Sequence, residues 1–116
     1  MNDLKPALQV KKNSEDITVD TTKFTANAKE IYQVDDVTQI RLTGSAATSL
    51  PTWTQIATLP AGYRPKNTIT LWAAKVVGSD TVAHPFVVYA SGEISNQGAS
   101  IPSGTNISLA GVFLKG

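Results

Sequence analysis

The chain has 116 residues, a formal net charge of +1, one histidine and no cysteine. That length suits one small domain. Without cysteine there is neither a disulfide framework nor a thiolate zinc site, and the near-zero charge excludes the electrostatic footprint of a nucleic-acid or anionic-membrane binder.

Residues 1–41 carry thirteen charged side chains and residues 42–116 carry six. The opening MNDLKPALQVKKNSED lacks the apolar centre of a signal peptide. With no apolar run of about 18 residues, no transmembrane helix is expected. Residues 1–36 are charged, Thr-rich and poor in large apolar groups, so they form no core alone. They are either a flexible lead-in or a segment that buries its few apolar groups against two other chains.

Within that region, DITVDTTKFT (16–25) reads as extended, and TANAKEIYQV (25–34) is the best short helix candidate but reads equally well as extended. VTQIRLTG (37–44) alternates as a strand, with Ile40 and Leu42 on one face and Gln39 and Arg41 on the other. TWTQIATL (52–59) is predicted as a strand with Trp53, Ala57 and Leu59 facing the core. A corner, LPAGYRP (59–65), follows. Each of its prolines fixes its own φ and biases the preceding residue toward extended geometry. NTITLWAAKVV (67–77) is the clearest strand: Ile69, Leu71 and Ala73 share one face, and Thr68, Thr70, Trp72 and Ala74 the other.

Gly78-Ser79-Asp80 predicts a turn, and TVAHPFVVYA (81–90) a strand apolar on both sides. Pro85 within it lacks an N–H and is expected at an edge or bulge. Ser91-Gly92 marks another hairpin, GEIS (92–95) a short strand, and Pro102-Ser103-Gly104 a turn before a final buried strand, NISLAGVFLKG (106–116). The expected fold is all-β: four or five antiparallel strands from Trp53 onward, closing into a small barrel or sandwich.

No catalytic constellation is present, and the chain reads as non-enzymatic. There is no nucleophile elbow, P-loop or dinucleotide fingerprint, and one histidine rules out a multi-histidine metal site in a single chain. No cofactor is expected. Asp35-Asp36 reads as a solvated turn, because adjacent strand residues point to opposite faces. Asp80 is either a turn residue or a partner of His84. Trp72 shares its face with threonines, as either a subunit interface or a platform for the C–H face of a sugar. Tyr89 and Gln97 are weaker candidates of that kind; amides and hydroxyls suit polyols because each donates and accepts.

The segment WTQIATLPAGYRP (53–65) resembles a pattern in tail-tip proteins of phages infecting Gram-positive bacteria, in which a tryptophan-bearing strand runs into LP-x-x-[YF]-R-P. The order that follows is a strand, GSDT, a strand with His84, an SG hairpin, a short strand and GVFLKG. It is similar to the head domain of lactococcal phage receptor-binding proteins, over roughly Val37 to Gly116. The resemblance implies a homotrimer of Greek-key-like antiparallel β-barrel heads (37–116), with residues 1–36 as the end of a neck or the first head strands. It implies a place at the distal tail tip of a virion, contact with other baseplate proteins through the N-terminal part, and binding of host cell-wall polysaccharide during adsorption. The alternative is a structural baseplate or fibre module without direct host binding. The family's saccharide site uses a His and an Asp two residues apart, a Trp after a hairpin and an Arg near the C-terminus. Here only His84 matches. Phe86 stands at the carboxylate position and Asn96-Gln97 at the tryptophans, and no Arg follows Arg64. The expected saccharide-binding set is therefore His84, Trp72, Phe86, Asp80, Asn96 and Gln97. Small size, absence of disulfides and few charges in the body independently favour association with copies of the same chain.

Overall fold

The computed structural model describes residues 17–116 and the backbone of residues 10–12; the remaining N-terminal residues, with the expectations placed on them, lie outside the described part. Among the described residues nine strands form one antiparallel sheet: β1 (Val10–Lys12), β2 (Thr18–Val19), β3 (Phe24–Val34), β4 (Val37–Ala46), β5 (Gln55–Thr58), β6 (Ile69–Val77), β7 (Asp80–Val88), β8 (Glu93–Asn96) and β9 (Asn106–Leu114). Their order is β1-β3-β4-β9-β6-β7-β8-β5-β2. Strands β2 to β9 curl into a nearly closed barrel, and β1 pairs with the end of β3 at Tyr32–Val34. At the seam between β2 and β3, the Lys29 ammonium donates to the Ile17 carbonyl at 3.1 Å.

The region offered as a short helix is β3. Its Phe24 and Ile31 are buried, and pair with Ala46 and Ile40 of β4. Alternation continues along β4, where Thr38, Ile40 and Leu42 are buried and Gln39 and Arg41 exposed. Asp35-Asp36 is the two-residue turn of this hairpin, so residues 17–36 supply the first two strands of the barrel proper. The β6–β7 hairpin turns on Gly78-Ser79, with Asp80 already opposite Val77.

β5 and β6 are not neighbours in the sheet. The proline-framed corner carries the chain between them across one end of the barrel. Gly62 has φ +89° and Tyr63 N–H donates to the Pro60 carbonyl at 3.2 Å, a type II turn that needs glycine at its third position. Gln33 donates to the Gly62 carbonyl at 2.8 Å, Arg64 Nε to Leu59 O at 3.0 Å, and the Gly116 amide to Arg64 O at 2.9 Å. Tyr63 is buried in the core with Phe86, Val88, Ile94 and Leu59. The corner is thus a plug.

Candidate functional site

At the opposite end of the barrel lies a buried polar knot. His84, 3% exposed, points inward from β7, and its Nε2 is 2.6 Å from Asn96 Oδ1. Asn96 is fully buried at the end of β8. Its Nδ2 donates to the carbonyls of Leu50 (2.8 Å) and Ala99 (3.0 Å), and its Oδ1 accepts the Gly98 amide at 2.9 Å. Carbonyls only accept, so these bonds fix the amide orientation, and His84 must donate from Nε2. Burial pushes the imidazole below its ordinary protonation range; Asn96 opposes that shift and the nearby Lys75 adds to it. Phe86 packs tilted against the imidazole, with ring centroids 5.6 Å apart, and is itself fully buried.

His84, Phe86 and Asn96 are thus buried together and hold the barrel end from inside, apart from the exposed outer face. Asp80 does not join His84. The two lie on the same strand four residues apart, a span of about 13 Å, and Asp80 is exposed beside the hairpin tip.

Trp72 and Gln97 are accessible. Trp72 stands on the outer face of β6, 62% exposed and opposite Pro85 of β7. Gln97 donates its amide N–H to the Pro85 carbonyl at 3.1 Å, and its side-chain Oε1 accepts the Thr70 hydroxyl at 2.8 Å, so it spans β7 to reach β6. The Pro85 carbonyl points toward β8, so the missing N–H points there too, just beyond Asn96, where the β7–β8 ladder stops. β7 is thus an interior strand, not the edge or bulge expected of this proline, and the ring is accommodated where the β7–β8 ladder ends.

Trp53 is not core. It lies in the turn before β5 with φ +72°, 60% exposed, and its backbone N–H donates to the Asn96 carbonyl. Through the backbone, Trp53 is tied to Asn96, and Trp72 lies opposite Pro85, whose carbonyl holds Gln97.

Along the same outer face runs a groove of about 360 Å³, with Ala74 and Val76 of β6 and Ile107 of β9 as its apolar part. Its polar lining comes from Asn27 of β3, Thr43 of β4, Thr81 of β7, and Asn106 and Ser108 of β9, four different strands. Nothing in the sequence marks it, because it exists only once β9 lies between β4 and β6. Among the described residues no three His, Cys, Asp or Glu side chains converge as metal ligands, and no helix is long and apolar enough to cross a membrane. The outer face offers aromatic surface with neutral donors and acceptors, which suits non-covalent binding of a polyol. No protein-family model and no curated protein matches the chain.

Proposed function

We propose that the chain is the receptor-binding head of a phage tail tip, which binds a saccharide of the host cell wall without catalysis. The observation that carries this reading is the exposed indole of Trp72 beside the Thr70–Gln97 pair, on a face that continues into an uncharged groove. An aromatic ring covers the C–H face of a sugar while amides and hydroxyls engage its hydroxyls.

Homotrimeric assembly belongs to the same reading, with other baseplate proteins engaging the N-terminal part. Val37, Val112 and Leu114 are exposed on the outer face of the adjacent strands β4 and β9, an apolar surface that a neighbouring subunit would cover. Three equivalent weak sites on a repetitive polymer gain about 100-fold or more in avidity. A purely structural baseplate or fibre module is the rival, favoured by the burial of His84, Phe86 and Asn96.

Cosedimentation of the purified chain with Gram-positive cell walls separates the two, together with mass in solution. Wall binding by a species of three times 12.3 kDa, weakened in Trp72→Ala at unchanged mass, supports the receptor-binding reading. A trimer that ignores every wall supports the structural one.

A further inference from the structure

We infer that the outer groove is a subsite for an uncharged sugar residue and that Asn27 is its specificity-determining side chain; this rests on the saccharide-binding reading above. The polar lining is wholly neutral: one hydroxyl each from Thr43, Thr81 and Ser108, and amides from Asn27 and Asn106. Thr43 and Ser108 are a directly opposed cross-strand pair, as are Val76 and Thr81. Among the described residues, none of these five side chains is used in a hydrogen bond within the chain. Their donors and acceptors are therefore open to a ligand, whereas Thr70 and Thr105 spend theirs internally.

The placement of Asn27 is built in. The β3–β4 register shifts between Ala26 and Ala28, so Asn27 is the extra residue of a β-bulge and turns into the groove. Bulges re-aim side chains in this way. Across from it, Gly44 makes the bulge sterically possible: a Cβ there would sit 2.0 Å from the Thr25 carbonyl oxygen.

Charge selects against anionic ligands. A phosphate or carboxylate entering the groove would lose water without meeting a cation, and an unpaired desolvated charge is costly. Lys75 and Asp80 belong to the opposite face of their strands, and Arg41, on the same face two residues before Thr43, is 3.7 Å from Glu30. A neutral ring with several hydroxyls meets the apolar strip of Ala74 and Val76 and both kinds of hydrogen-bonding partner. The volume lies in the range of small-ligand sites.

The test titrates the 15N-labelled full chain with glucose, galactose, rhamnose and N-acetylglucosamine, and with galacturonate and glucose 6-phosphate. Cosedimentation with Gram-positive cell walls runs alongside. At least one neutral sugar is expected to shift the Asn27, Thr43 and Ser108 amides saturably, with both anions about tenfold weaker or more. Ser108→Tyr fills the groove from an exposed position and is expected to abolish the shifts at an unchanged melting temperature; Asn27→Ala is expected to change the ranking among the neutral sugars and serves if the tyrosine variant is unstable. Anions equal to neutral sugars overturn the inference. So do shifts at Trp72 and Gln97 alone, or no shift from any sugar, and with wall binding intact those results leave the receptor-binding reading standing. Groove shifts without wall binding uphold the subsite and overturn the broader reading; absence of both overturns both.

Discussion

The imidazole Nε2 of His84 donates to Asn96 Oδ1 across 2.6 Å, inside the barrel and out of reach of solvent. The pair joins β7 to β8, and the same amide secures the loops at Leu50 and Ala99.

Near neutral pH, above the carboxylate range, stability should therefore depend on pH through this group. The folded protein holds His84 below its ordinary value, so on acidification the unfolded chain takes up the proton first. Stability is full above the ordinary value of about 6.5 and falls as pH drops from there through the folded value. Since His84 is the only histidine, denaturant midpoints measured between pH 7.5 and 5 read it directly. His84→Gln should flatten the slope in that window, and an unchanged slope would remove His84 as its source.

Removing the amide should cost more than removing a surface contact. Asn96→Leu leaves the buried imidazole N–H, the half-buried Gly98 N–H and the Ala99 carbonyl without their partner, while the Leu50 carbonyl keeps the Ile101 amide. Each unsatisfied group costs about 1–3 kcal/mol, so a total loss of roughly 3 kcal/mol or more is expected in chemical denaturation. A loss below about 1 kcal/mol would mean that water replaces the amide.

Gly44→Ala should be poorly tolerated although alanine is small. Its Cβ collides with the Thr25 carbonyl, so β3 must move or the bulge must be lost. Overpacking of this kind costs about 1–3 kcal/mol, and the amide of Asn27 should shift in the 15N spectrum. A stable variant with an unmoved Asn27 signal would contradict the account of the bulge.

The two tryptophans should behave as surface residues in stability and differ in backbone strain. Trp72→Ala should alter stability by no more than about 0.5 kcal/mol. Trp53→Gly should raise it by roughly 1 kcal/mol, because a non-glycine residue at φ +72° is strained. Native fluorescence should show the red-shifted emission of hydrated indoles. A blue-shifted spectrum in the isolated chain would place at least one of them in a dry environment.

The strands were legible where alternation was clean. Ile40 and Leu42 face inward as their spacing predicts, and Trp72 faces outward with Thr70. Trp53 was misread for a local reason. Period two was carried back from Leu59 and Ala57, but β5 begins only at Gln55 and its register shifts between Gln55 and Ala57. That bulge breaks the parity on which the assignment depended. His84 is inward because it shares a face with Phe86 and Val88, yet this strand is apolar on both sides, which hid the polarity of its faces. The groove was beyond sequence reasoning, since its walls come from residues as distant as Asn27 and Ser108.

β9 enters between β4 and β6, and that insertion dictates the order of assembly. The β3–β4 and β6–β7 hairpins can each form from adjacent stretches of chain, but they share no edge until β9 arrives to act as the keystone. Closing the barrel must wait for that long-range step, which makes folding slow for so short a chain. A molecule halted before it would expose two unmatched hairpin edges to its neighbours.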